Sequence, residues 1–204
     1  MAQKLPNLQE TPSQTAGPYV HIGLAPHATG IEIYNKDLGS DIAGPNAEGE
    51  RIGIEGHIKD GTGATVKDAL IEVWQANSKG HYAGSSNALE EGFWGWGRAV
   101  TDFETGLWRF ETIKPGQTPG LNGRVQAPHI NLWIVARGIN LGLNTRLYFD
   151  DEEQANVADP TLNLIEQEER RASLLATRII QGDAVVYNFD ITLQGEGETV
   201  FFDI

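Results

Sequence analysis

The 204 residues carry 15 Lys and Arg against 28 Asp and Glu, a formal net charge of −13, and no cysteine. That balance argues against nucleic-acid and anionic-membrane partners, which both demand a basic face. It also excludes disulfides and thiolate metal centres. With 24 glycines and a charged fraction of 21 %, the chain favours turns and short strands over long helices, and its length makes one large domain or two small ones.

Residues 1–49 show little periodicity. Prolines recur at 6, 12, 18, 26 and 45, and the run Thr11 to Tyr19 is Pro- and Gly-punctuated, so an extended arm is expected here rather than helix or central strand. A solvated tail is the ordinary alternative for a terminus. Against it stand Tyr19, Val20, Ile22, Leu24, Ile31, Ile33 and Tyr34, which suit an arm docked on its own domain or on a partner. Met1 to Glu10 lacks the apolar centre of a secretory leader, and no run of about 18 apolar residues occurs, so a soluble cytoplasmic chain is expected.

Residues 50–204 read as one β-sandwich domain. Arg51 to Asp60 alternates, with Ile52, Ile54 and Gly56 on one face and Gly53, Glu55 and His57 on the other, before an Asp60-Gly61 turn. Val66 to Trp74 reads as the returning antiparallel strand. Arg98 to Thr101 and Gly106 to Ile113 follow as two strands of a hairpin. His129 to Arg137 alternates again, with Ile130, Leu132, Ile134 and Ala136 forming one face, and Asn144 to Phe149 pairs back on it. Leu162, Ile165, Glu169, Ala172 and Leu175 fall near helical spacing, so one helix is expected over 160–177. Ala184 to Leu193 is the last clear strand. The fold expected is all-β: an antiparallel β-sandwich with long loops, an extended N-terminal arm and one short helix.

Histidines 21, 27, 57, 81 and 129 are the only imidazoles, so a transition-metal site must combine them with carboxylate, phenolate or water. His129 and Asn131 share a strand face and look like half of such a site; a hydrogen-bonded core histidine is the plainer reading. No Gly-x-Ser-x-Gly, P-loop or dinucleotide fingerprint is present, so serine hydrolase, nucleotidase and dinucleotide chemistries lack their anchor residues. The acids Asp150 to Glu153 read as a solvated loop.

The run Ala69 to Tyr82, ALIEVWQANSKGHY, closely resembles the signature of the intradiol ring-cleaving dioxygenases, non-haem Fe(III) enzymes that open catechol rings between the two hydroxyls. Thr112 to Gly116, Pro128 to Ile130, Arg146 to Phe149 and the end Gly195 to Asp203 extend the resemblance over almost the whole chain. In the family, two tyrosines and two histidines hold the ferric ion. Carried over residue by residue, the four positions are Tyr82, Thr118, His129 and Asn131, so one tyrosine and one histidine are replaced. Thr118 and Asn131 are neutral, weak donors for a hard ferric ion. The resemblance therefore implies that this chain binds no metal and that Fe(III) is held by a homologous beta subunit in a large alpha/beta hetero-oligomer. It further implies that protocatechuate, a carboxylated catechol, is cleaved with O2 in a cleft between the two chains. The arm residues Thr15, Gly17, Pro18 and Tyr19 and the guanidinium of Arg137 are expected to face that substrate, Arg137 through its ring carboxylate. Two other readings stay open: a metal-free binding or scaffold sandwich, and a self-sufficient dioxygenase with a variant site. For Arg137 the competing role is an ion pair.

Overall fold

The computed structural model describes residues 14–17, 19–36, 38–39, 41–84 and 92–203. Among them, eleven strands run in the order β1 (Arg51–Lys59), β2 (Leu70–Gln75), β3 (Trp96–Val100), β4 (Leu107–Ile113), β5 (Thr118–Pro119), β6 (Val125–Gln126), β7 (His129–Val135), β8 (Leu143–Phe149), β9 (Leu175–Gln181), β10 (Ala184–Asn188) and β11 (Ile191–Thr192). Helical structure is limited to short pieces: α1 (Tyr19–Leu24), α2 (Glu153–Ala158), α3 (Glu168–Arg171) and single 3-10 turns. None of these helices is long and apolar enough to cross a membrane.

Two arrays of strands face each other. One is β4-β1-β10-β9, the other β3-β2-β7-β8, and β9 joins them through a short parallel ladder in which Tyr148 and Phe149 of β8 oppose Leu175 and Ala176. Their inward side chains meet in one core: Ile52, Ile54, Trp108, Phe110 and Tyr187 from the first array, Ile71, Val73, Ile130, Leu132, Ile134 and Phe149 from the second. Each fully buried aliphatic or phenyl side chain contributes about 1.5–3 kcal/mol by leaving water, which is why the period-2 pattern decides which face turns inward. The sandwich expected from the sequence is present. Its ladders are mostly antiparallel, with β1–β10, β1–β11 and β8–β9 parallel.

Strand partners differ from the expectation in two places. β1 and β2 are not ladder partners: β1 lies between β4 and β10, while β2 lies between β3 and β7. The turn at Asp60 closes only a short contact, Val66 N–H to the Ile58 carbonyl at 2.8 Å, and then carries the chain across to the other layer. Both strands have a core face, and stacking those faces across the sandwich buries them against each other. The Asp102 loop does the same for β3 and β4. Its carboxylate accepts N–H groups of Glu104 and Thr105 at 3.0 and 2.6 Å, making a tight corner between sheets rather than a hairpin.

The helix expected over 160–177 is replaced by three short turns and the start of β9. Asp159, fully buried, accepts the N–H groups of Thr161 and Leu162, both at 2.8 Å, and of Ala127 at 2.8 Å. Those bonds fix a local turn that a longer helix could not share. Leu162 and Leu174 reach a second small core with Ala127, Tyr148 and Val200, so the helical spacing of apolar residues is satisfied by separate turns. The last strand is also divided, into β10 and β11. At the break the Phe189 N–H bonds the Glu55 carbonyl at 2.8 Å, and the Phe189 carbonyl lies 2.0 Å from where a Cβ on Gly56 would stand. The N-terminal segment is not extended throughout, since Tyr19 to Leu24 is proline-free and forms α1.

Candidate functional site

β7 starts at His129 and points Ile130, Leu132 and Ile134 into the core. The opposite face therefore brings His129 and Asn131 toward the loop that follows β2. Tyr82 in that loop stacks on Trp74, with ring centroids 5.9 Å apart and planes 14° off parallel. The three polar groups close on one another. His129 Nδ1 meets the Ala127 carbonyl at 2.7 Å, the Tyr82 hydroxyl meets His129 Nε2 at 3.0 Å, and Asn131 Nδ2 donates to the Tyr82 oxygen at 3.1 Å and to the Trp74 carbonyl at 3.1 Å. One proton arrangement satisfies this chain: His129 donates from Nδ1, and Tyr82 donates to Nε2 while accepting from Asn131.

Electrostatics keep both ring groups neutral. Burial lowers the His129 pKa to about 4, helped by the positive charge of Arg146. Burial likewise raises the Tyr82 phenol, against opposing effects of Asn131 and Arg146. Arg146 is the residue opposite Asn131 on β8, and its Nη1 donates to Gln126 Oε1 at 2.7 Å, to Thr161 Oγ1 at 3.2 Å and to the Tyr148 hydroxyl at 3.3 Å. Thr118 is 1 % exposed and its hydroxyl has no partner. It sits beside Gly80, whose positive φ of 80° lets Gln117 approach so closely that its carbonyl oxygen lies 1.8 Å from a Cβ built at Gly80.

The family's Fe(III) does not fit these residues. A ferric ion favours anionic oxygen donors, whereas the phenol here is held protonated, the one free lone pair of His129 accepts the phenol proton, and Asn131 presents its NH2 group. Arg146 adds positive charge. Among the described residues no group of three His, Asp or Glu side chains is placed to hold a metal ion.

Past the other end of β7 lies a cleft of about 230 Å³, lined by Ala16, Gly17, His21, Thr29, Asp68, Phe103 and Arg137. Thr15 and Arg137 are linked through the backbone, because Thr15 Oγ1 accepts the Gly138 N–H at 2.9 Å. The Arg137 side chain is 72 % exposed and its Nε is ion-paired to Asp68 Oδ2. The intrachain pair is thus present, and it engages the inner edge of the guanidinium. Tyr19 opens α1 with 81 % exposure and does not line the cleft. Pro18 lies outside the described residues.

His21 was not singled out by the sequence. Within the apolar run Tyr19 to Leu24 it is the lone polar side chain, and that is the signal that could have found it. It is 7 % exposed, packs edge-on against Phe103 at 5.4 Å and has no partner for Nε2 among the described residues. Arg146 was also missed as a polar centre, since an arginine in an alternating strand ordinarily points to solvent.

The strand expected to run to Arg137 stops at Val135, so the two loci stand at the first residue of β7 and in the turn just beyond its last, with roughly 20 Å of strand between them.

The dioxygenase family model matches residues 19–195. The chain is 52 % identical to the protocatechuate 3,4-dioxygenase alpha chain of Pseudomonas putida, over 96 % of this chain and 97 % of that one. It is 44 % identical to the alpha chain from Burkholderia cepacia, over 97 % and 98 %. With the beta chain of Burkholderia cepacia it shares 36 % identity over 74 % of this chain and 67 % of that one. Among solved structures, the dioxygenase domain of a carbohydrate-binding fusion protein from Streptomyces sp. SirexAA-E superposes with a TM-score of 0.56 at 22 % identity, covering 94 % of this chain and all of that domain. That likeness bears on the fold. The family match and the two long alignments establish that the chain belongs to the intradiol ring-cleaving dioxygenases.

Proposed function

We propose that this chain is the alpha subunit of a protocatechuate 3,4-dioxygenase, which cleaves 3,4-dihydroxybenzoate with O2 to 3-carboxy-cis,cis-muconate in the cytoplasm. In this reading the homologous beta subunit holds Fe(III) within a large alpha/beta assembly, and this chain shapes and charges the substrate cleft. One observation carries it. Gly17 and Arg137, distant in sequence, line one cleft, and Thr15 ties their segments together at Gly138, while the chain's own metal positions are closed by hydrogen bonds among neutral groups.

The chemistry follows from the residues. Among the described residues lining the cleft, Arg137 is the one arginine or lysine. With Nε engaged by Asp68, its two terminal nitrogens are left to hold a ring carboxylate in a fork. Gly17 has open space where a side chain would stand, so the arm's backbone can lie close against an aromatic ring. Tyr19, exposed at the start of α1, continues the same arm. The iron supplies the redox chemistry that opens the ring; this chain binds and orients the carboxylated end.

The test is made on the co-expressed alpha/beta enzyme. Arg137→Ala is expected to raise KM for protocatechuate about ten-fold or more, from loss of a charge-assisted hydrogen-bond pair. The chain expressed alone is expected to hold no iron and cleave no ring. Unchanged KM in the variant would remove Arg137 from the substrate site, and ring cleavage by the single chain would establish a self-sufficient enzyme.

A further inference from the structure

The cleft contains a buried polar atom that the reading above leaves unused. His21 is 93 % buried by its 7 % exposure, lines the same cleft as Arg137, and has an Nε2 with no hydrogen-bond partner. A buried nitrogen left unpaired costs about 1–3 kcal/mol, so its retention calls for a partner that arrives with a ligand. The backbone of Ala69 favours the protonated ring; with Nε2 unpaired, Nδ1 is the nitrogen available to it, and Phe103 meets the ring edge-on.

We propose that His21 is a second carboxylate-binding residue of the cleft, donating from Nε2 to the substrate carboxylate beside Arg137 and taking up one proton from solvent as the substrate binds. This rests on the assignment of the cleft as the carboxylate site. The proton count follows from the geometry. In a neutral ring whose single proton stays at Nδ1, toward Ala69, only a lone pair is left at Nε2. A carboxylate has no proton to offer, so the contact forms only when Nε2 is protonated as well. The charged groups lining the cleft around the ring are Asp68 and Arg137. Asp68 favours the protonated ring, and burial, the larger effect, opposes it and lowers the His21 pKa in the free protein. An incoming anion shifts the balance toward the imidazolium, and the proton leaves again when the anion does. Such a site discriminates: a catechol without the carboxylate gains neither the Arg137 nor the His21 contact.

The experiment is calorimetric, on the alpha/beta holoenzyme at pH 8, in two buffers of different ionisation enthalpy. The probes are 4-hydroxybenzoate and phenol, which share a hydroxyl and differ in the carboxylate. Wild type is expected to take up close to one more proton per cleft with 4-hydroxybenzoate than with phenol. In His21→Gln, whose side-chain amide can donate without titrating, that extra proton is expected to vanish while affinity falls less than ten-fold. In His21→Phe affinity falls about ten-fold or more. Equal proton counts for the two probes in wild type, or an undiminished count in His21→Gln, would overturn the proposal. Arg137→Ala separates the two levels. If it weakens 4-hydroxybenzoate while the His21 variants do not, this inference alone fails; if neither position matters, the assignment of the cleft fails with it.

Discussion

Thr15 Oγ1 accepts the backbone N–H of Gly138 at 2.9 Å, tying the N-terminal arm to the turn that presents Arg137. The bond joins segments 123 residues apart, and it fixes where Gly17 and Arg137 stand relative to each other. Thr15→Val keeps the shape and removes the acceptor. An exposed neutral hydrogen bond contributes about 1 kcal/mol, so KM for protocatechuate is expected to rise roughly five-fold, with the melting temperature of the assembled enzyme changed by only a degree or two. Steady-state kinetics beside a thermal melt make the check; a large drop in melting temperature with unchanged KM would make the bond a fold contact and nothing more.

The buried His129 gives the chain an acid-sensitive point. Its pKa falls from the ordinary 6.5 to about 4 in the folded state. A depressed histidine is protonated first in the unfolded chain, so its contribution to stability is complete above pH 6.5 and is lost as the pH falls through about 4. The shift corresponds to at most about 3 kcal/mol. Urea unfolding at pH 7.5 and 4.5 should therefore show a smaller acid loss in His129→Gln than in wild type. In NMR, the His129 ring should not titrate between pH 8 and 5.5. A ring that titrates near 6.5 would contradict the buried, phenol-linked arrangement.

Restoring the residue types of the family's metal site should not by itself restore the metal. Thr118→Tyr with Asn131→His rebuilds two tyrosines and two histidines, yet Arg146 still places its charge on Tyr82 and His129. The double variant is expected to stay nearly colourless when ferric iron is added. A third change, Arg146→Gln, is expected to allow a ferric-tyrosinate absorption band. Full colour in the double variant would show that Arg146 is no barrier.

Gly80 controls the wall behind Tyr82. Its φ of 80° and the contact of 1.8 Å between a built Cβ and the Gln117 carbonyl make Gly80→Ala strained in both backbone and packing. A loss of more than about 2 kcal/mol is expected, read from denaturant unfolding. Gly123→Ala offers the comparison, because it shares a positive φ of 74° with nothing within 4 Å; it should cost clearly less.

Alternation made β7 and β8 legible from the sequence. Ile130, Leu132 and Ile134 against Asn131 and Trp133 leave one choice of buried face, and the register to Leu147 follows. Partner choice was not legible. Asp60-Gly61 and Asp102 look like hairpin turns, but local turn chemistry is the same whether a strand returns beside its neighbour or crosses to the opposite sheet. The segment around Leu162 reads as a helix because apolar spacing does not reveal that the buried Asp159 will claim the local N–H groups. At the sites, resemblance singled out Tyr82, His129 and Asn131, which hydrogen bonds bring together, whereas Arg137 was chosen for the chemistry of its guanidinium. His21 escaped because its significance is an unpaired nitrogen, which exists only once neighbours have been placed.

β7 is a spacer with different equipment at each end. Because β7, roughly 20 Å of hydrogen-bonded strand from His129 to Val135, lies between His129 and the turn that carries Arg137, substitutions at the two ends should act independently. A fold arranged in this way can change at one end without damaging the other. The same insulation makes this chain a convenient scaffold for installing a new metal centre, since changes around Tyr82 should leave the cleft beside Arg137 intact.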